Sequence, residues 1–364
     1  MGRILFVTWD GGGNVPPVLA LAERLQARGH EVRAMGSASL ASRFGARGVP
    51  YLARDVVAEW DQRALAREVH AEAGTADLVV ADYMLPGALC GSEASYRPSA
   101  ALVHTLYAAN LDDDGGLLPM QMAATVDAVA AVREELSLPP VTGFGALLDR
   151  QTALLVTCPE GLDDPTRSRA QNVRYIGPVL EPPGPDATWR PPGVDDGRPL
   201  VVVGLGTTPM DEAPVLQRLL SALGDAPVRV LATLGGHLDP NDLEAPPNVH
   251  LTGHVRHAAV LPWASAVVSH AGLGTVLAAL AHGLPLVCVP MGRDQPLNAA
   301  AVERVGAGCT IDPTAGPDLI RAAVLRAVGD MDLRAGAARM ALEIDASVAS
   351  GSAEAEVERL LDLA

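Results

Sequence analysis

Arg3-Ile4-Leu5-Phe6-Val7-Thr8 runs almost unbroken in apolar and β-favouring side chains, and Gly11-Gly12-Gly13 follows closely. A strand buried on both faces reads as such a run, and glycines let the chain turn sharply into a helix. The helix follows at once, with Val18, Leu21, Ala22 and Leu25 on one face and a stop at Gly29. Working outward, strands are expected at Glu31–Met35, Leu78–Ala81, Ala100–Val103 and Leu154–Val156. The scheme then repeats. Leu200–Val203 leads into Gly204-Leu205-Gly206, and the next helix carries Val215, Leu216, Leu219 and Leu220. Strands are expected again at Val228–Ala232, Val249–Thr252, Ala266–Ser269 and Leu286–Val289. Parallel strands joined by right-handed helical crossovers give this alternation. The fold class is therefore α/β, with two doubly wound, Rossmann-like domains facing a cleft.

Between the halves stand Pro178, Pro182, Pro183, Pro185, Pro191, Pro192 and Pro199, too many for a helix or a central strand. The expected organisation is a first domain over 1–177, a semi-rigid linker over 178–199 and a second domain over 200–364. The Ala-rich tail Pro317–Leu363 reads as helical, its last helix free to cross back to the first domain.

A chain of 364 residues, 49% of them hydrophobic, has material for two cores, and 19% charged residues is far from a disordered composition. A formal charge of −16 opposes nucleic acid and anionic membrane surfaces as partners. The N-terminus reads as a strand, not a leader, and no stretch of about 20 residues is apolar enough to span a bilayer. Cys90, Cys158, Cys288 and Cys309 are scattered in apolar surroundings, as small core residues of a reducing compartment. A cytoplasmic location is expected.

Chemistry concentrates after two strands of the second half. Ser269-His270-Ala271-Gly272-Leu273-Gly274-Thr275 lies between the strand Ala266–Ser269 and a helix expected over Val276–Ala281. Its glycines allow close approach of a ligand, and a helix start offers unpaired N–H groups to an anion. Such loops are also often purely structural. At the next junction, Pro290-Met291-Gly292-Arg293-Asp294-Gln295-Pro296-Leu297-Asn298 sets a carboxylate beside an amide, the mix that sugar hydroxyls want. The plainer reading makes Asp294 a helix N-cap, with Pro296 near the first turn.

Leu261 to Gly308 closely resembles the signature of family 1, UDP-glycosyltransferase-like, inverting glycosyltransferases of the GT-B fold, especially the bacterial enzymes that glycosylate secondary metabolites. The resemblance rests on His270, Gly272, Gly274, Thr275, Ala279-Leu280, Gly283, Pro285, Pro290, Asp294, Gln295, Asn298-Ala299 and Gly306. It extends more thinly through Arg28 to Val32, Asn172 to Pro178 and Gly204 to Thr208. It implies that His270 meets the donor's α-phosphate, that Gly274 and Thr275 meet the diphosphate with Thr207 nearby, and that Asp294 and Gln295 hold the sugar. The base-binding turn would be Gly253-His254-Val255-Arg256-His257, where the family's usual Val-Pro-Gln is absent. No metal is implied. Where many UDP-sugar enzymes of this family carry a Glu for both ribose hydroxyls, this chain has Ala278. A dTDP-sugar is thus expected as co-substrate, with a UDP-sugar as second choice.

The same resemblance places the catalytic His of a Gly-His-x-x-Pro loop at Asn14, within Gly13-Asn14-Val15-Pro16-Pro17. An amide cannot serve as general base. Asn14 can simply cap the first helix. Another residue can be the base: Asp82 matches the family's Asp that pairs with the His, His104 ends the following strand, and Asp10 stands at the rim. Or the acceptor, an acidic phenol or an aromatic carbon, needs little help. Asp82 and His104 are the favoured replacement pair, although a lone His in an apolar run is more often a satisfied core residue.

Asp112-Asp113-Asp114, Asp163-Asp164 and Asp195-Asp196 read as solvated loop charges. A small hydrophobic acceptor is expected on the first half, whose loops include Val56–His70 and Ala109–Pro119, with Trp60, Tyr83, Tyr107 and Phe144 as candidate pocket or core aromatics. A homodimer is left open. Two other classes fit the same donor site: a nucleotide-sugar epimerase, and a catalytically impaired partner of another transferase.

Overall fold

The computed structural model describes residues 1–364 apart from 56–60, 111–127, 167–168, 181–188, 193–195, 207–209 and 237, and apart from the side chains of 109 and 110. The chain divides into two compact units, Met1–Leu180 together with Ser347–Ala364, and Glu181–Ala346.

The first unit is built on seven parallel strands: β1 (Arg3–Thr8), β2 (Glu31–Ser37), β3 (Tyr51–Arg54), β4 (Leu78–Asp82), β5 (Ser99–Val103), β6 (Ala153–Val156) and β7 (Val173–Tyr175). Their order is β3-β2-β1-β4-β5-β6-β7. The chain winds outward from β1 to β3 and then returns to β4 on the other side of β1. That reversal leaves a crevice at the C-terminal ends of β1 and β4, where open α/β sheets receive ligands. The second unit repeats the design with β8 (Leu200–Gly204), β9 (Arg229–Thr233), β10 (Val249–Thr252), β11 (Ala264–Ser269), β12 (Leu286–Cys288) and β13 (Gly308–Thr310), in the order β10-β9-β8-β11-β12-β13. Its reversal lies between β8 and β11.

The unbroken apolar runs are buried as expected: Ile4, Leu5, Phe6 and Val7 in the first sheet, and Val201 and Val203 in the second, are all at most 1% exposed. The edge strands β3, β7 and β13 were not expected. Tyr51–Arg54 exposes two of its four residues, and β7 and β13 are only three residues long, so none shows the apolar run of a central strand.

Helix α1 (Val15–Ala27) buries Val18, Leu21, Ala22 and Leu25 against the first sheet. Helices α2 (Gln62–Ala73) and α3 (Pro86–Ala94) approach closely because Gly87 and Gly91 have no side chain; a Cβ there would lie 2.2 Å and 2.4 Å from backbone oxygens of Gln62 and Ala66. In the second unit α4 (Ala213–Leu223), α5 (Leu273–Ala281), α6 (Gln295–Arg304) and α7 (Pro317–Gly329) follow. Helix α5 starts at Leu273, three residues before the expected Val276, which brings Gly274 and Thr275 into its first turn. The helical tail is three helices, continuing with α8 (Met331–Ser350) and α9 (Ser352–Leu361); Gly351, at φ +62°, makes the left-handed turn between them. Ala353, Val357 and Leu360 of α9 join the core of the first unit, and Glu358 pairs with Arg28 at 2.7 Å.

Candidate active site

In the first unit Asn14 follows β1, Asp82 ends β4 and His104 follows β5, so three neighbouring strands of the sheet bring these side chains to one end of it. Asp82 is 1% exposed. Its carboxylate accepts from Asn14 Nδ2 at 2.8 Å and from the Met84 amide at 2.9 Å, and His104 Nε2 stands 3.2 Å away. Asn14 occupies the N-cap position of α1, but its side chain does not cap the helix. Its Nδ2 also donates to the Trp9 carbonyl at 2.9 Å, and its Oδ1 accepts from the Gly11 amide at 3.1 Å. Asn14 therefore caps the helix by position alone, as expected with Pro16 in the first turn, while its amide ties the glycine loop to the carboxylate. Asp10 belongs to another group, accepting from Ser39 Oγ at 2.6 Å in an exposed position.

His104 is half-buried. The Tyr83 ring meets it edge-on with centroids 5.0 Å apart, and Tyr83 Oη bonds Thr105 Oγ1 at 2.9 Å. Tyr83 is fully buried and Phe144 5% exposed, so both are core aromatics. Tyr107 is half-buried; Trp60 and Asp112-Asp113-Asp114 lie outside the described residues. Asp163 corrects the expectation of a solvated loop charge, for it is 0% exposed. Asp196 pairs with Arg198 and Arg229; Asp195 lies outside the described residues.

In the second unit the glycine loop after β11 encloses an imidazole. A Cβ on Gly272 would lie 2.5 Å from His270 Nε2, and one on Gly206, after β8, would lie 2.9 Å from His270 Cε1. Two glycines from two crossovers thus make the slot in which His270 sits. Burial holds its pKa below the ordinary 6.5, partly offset by the Asp294 carboxylate. Ala271 is left-handed at φ +63°, a conformation unfavourable to alanine by about 1–2 kcal/mol. Its carbonyl is held by Asn298 Nδ2 at 3.0 Å, and the same nitrogen donates to Asp294 Oδ2 at 2.9 Å. Buried Asn298 therefore links the two strand-to-helix junctions, a role its place in the motif did not reveal.

Asp294 is the N-cap residue of α6 with Pro296 in its first turn, as expected, although its side chain makes no capping bond. Gln295 is 3% exposed; its Oε1 accepts from the amides of Met291 at 2.7 Å and Gly292 at 3.2 Å, and Nε2 meets Met210 Sδ at 3.2 Å. The carbonyl end of this amide shapes its own turn. Among the described residues a Cβ on Gly274 would meet nothing within 4 Å, so none of them requires glycine there. Ala278 is buried on α5, while His254 is exposed and Val255 half-buried after β10. Thr207 lies outside the described residues. Among the described residues, no three His, Cys, Asp or Glu side chains are grouped to hold a metal ion, and no helix is long and apolar enough to cross a membrane.

Residues 217–361 match the family model of the erythromycin biosynthesis protein CIII-like C-terminal domain. The chain is 28% identical to 4'-demethylrebeccamycin synthase of Lentzea aerocolonigenes, over 84% of this chain and 86% of that protein. Other curated relatives match at higher identity over less than half of their own length. Among solved structures, the calicheamicin glycosyltransferase CalG4 superposes with a TM-score of 0.82 at 25% identity, over 100% of this chain and 98% of that one. The glycosyltransferase VinC in complex with dTDP gives 0.72 at 20% identity over the whole of both chains, a likeness of fold.

Proposed function

We propose that this chain is an antibiotic-type family 1 glycosyltransferase of GT-B fold that moves a deoxysugar from a dTDP-sugar to a small natural-product acceptor such as an aromatic polyketide, with inversion. The observation that carries the donor half is the slot between Gly206 and Gly272, which presents His270 beside the start of α5. An imidazole and the unpaired amides of a helix start together suit a diphosphate, and let a protein of charge −16 bind it locally. In this reading residues 200–364 take the donor: Gly272, Gly274 and Thr275 line the diphosphate, Asp294 and the remaining N–H of Gln295 meet the sugar, and His254 and Val255 flank the base, with Thr207 nearby. Stabilising the leaving diphosphate is then the work of fixed dipoles. Ala278 offers no acceptor to a second ribose hydroxyl, which favours dTDP over UDP; the dTDP complex of VinC is consistent with this.

Residues 1–177 take the acceptor. His104 is the general base and Asp82 orients it: the carboxylate holds Nε2, and the acceptor's proton passes to the imidazole as oxygen attacks the anomeric carbon. Asn14 keeps a donor on Asp82 without basicity of its own. The test is titration calorimetry with dTDP and UDP, followed by a screen of phenolic and polyketide acceptors with dTDP-glucose, read by mass spectrometry. Much tighter binding of UDP sinks the donor assignment. Isomerised donor without any acceptor would point to an epimerase instead.

A further inference from the structure

A carboxylate with no exposure costs several kcal/mol unless donors surround it. Asp163 is such a group, and its donors come from three places. The amides of Tyr107 and Ala108, which open the short helix Tyr107–Asn110, donate to Oδ2 at 2.9 Å and 3.0 Å. Tyr175 Oη, from β7, donates to the same oxygen at 2.6 Å, and the Asp164 amide reaches Oδ1 at 2.9 Å. Burial, then the bond to Asp163, push the Tyr175 phenol well above its ordinary value, which keeps it a donor. The Arg169 guanidinium lies over the Tyr175 ring, 4.7 Å from its centroid.

The tethered amides begin three residues after His104. On the other side of His104, Val103 is locked into the sheet: it pairs with Val156, and its carbonyl accepts from the amide and the hydroxyl of Thr157 at 2.9 Å and 3.2 Å. The segment His104-Thr105-Leu106 is thus fastened at both ends, and its middle by Thr105 to Tyr83. We infer that Asp163, braced by Tyr175, is a positioning residue that fixes the backbone carrying His104, and through it the imidazole, in the geometry needed for proton transfer. The inference rests on the reading of His104 as the base. Nothing in the motifs marked Asp163, because its partners are backbone amides and a tyrosine on an edge strand.

Asp163→Asn tests it. Each carboxylate oxygen accepts from at least one backbone amide, so whichever oxygen becomes NH2 confronts a donor with a donor. We expect the nuclear Overhauser cross-peak between the rings of His104 and Tyr83 to weaken at least threefold. Turnover should fall about tenfold to a hundredfold, the scale of a small misplacement of a catalytic group, with the KM for the dTDP-sugar within about twofold of the parent. Tyr175→Phe, which keeps the carboxylate and its amides, should show smaller losses of the same kind and serves if the first variant does not fold. Turnover equal to the parent in the folded variant overturns the inference, whatever the cross-peak does. Retained turnover in His104→Ala would instead overturn the base assignment, a separate result.

Discussion

Asn14 donates to Asp82 across 2.8 Å, and both side chains are at most 2% exposed. The position where the family resemblance calls for an imidazole therefore still serves the carboxylate, but with a group that never takes a proton. Asn14→Asp would bury a second carboxylate against the first, and two charges so close cannot both persist. The raised pKa of the pair means that stability is lost as pH rises. We expect a loss of roughly 2–4 kcal/mol at pH 8 and less at about pH 5, from denaturant unfolding. Equal losses at both would contradict the buried-pair geometry.

His104→Ala should lower turnover by roughly a hundredfold to ten-thousandfold, the range of a general base. In the parent, kcat/KM should rise with pH through one ionisation, because the base works deprotonated; in the variant that limb should vanish. Activity within a few-fold of the parent rejects the assignment and favours an acceptor that needs little base.

Gly274→Ala separates ligand contact from folding. Among the described residues a methyl there meets nothing within 4 Å beyond its own helix, and alanine in a helix is favoured over glycine by about 1 kcal/mol, so thermal stability should hold or rise. Affinity for dTDP should fall at least about tenfold if the diphosphate lies against the start of α5. Unchanged affinity in calorimetry would move the diphosphate elsewhere.

The depressed pKa of His270 makes a pH prediction with a fixed sign. The neutral form is the stable one in the free protein, so its contribution to stability is present above 6.5 and lost as pH falls. A bound diphosphate favours the cation instead. Binding of dTDP should then take up protons at about pH 6, and affinity should weaken as pH rises. Calorimetry in two buffers of different ionisation heat measures the uptake, and His270→Gln should abolish it.

Ala278→Glu would supply the carboxylate that ribose hydroxyls want. The ratio of UDP to dTDP affinity should rise about tenfold, worth roughly one good hydrogen bond to a charged group. A ratio unchanged within twofold places the ribose away from this face of α5.

How much of this was legible depended on where each residue finds its partners. Central strands announced themselves, since Ile4–Val7 and Val201–Val203 are buried on both sides and need apolar side chains throughout. Edge strands such as Tyr51–Arg54 did not, because one side meets solvent. Gly272 and Gly274 stood out by composition, yet sequence alone could not say that one is crowded by an imidazole and the other faces open space. Gly206 supplies the other wall of the His270 slot through a contact 64 residues away in sequence. Asp163 and Asn298 were misjudged or passed over largely for one reason: most of the donors to Asp163, and the Ala271 carbonyl that Asn298 holds, are main-chain groups, which carry no identity in a sequence.

The final helix has a bearing on how such enzymes can be recombined. Ala353, Val357 and Leu360 complete the hydrophobic core laid down by residues near the start of the chain. These residues are synthesised after the whole second unit, so the first unit's core cannot close until they have been made. A chimera spliced once within the proline-rich stretch would pair each front half with a foreign closing helix. Grafting residues 347–364 together with 1–180 keeps the native pairing, and hybrids are best built on that two-cut plan.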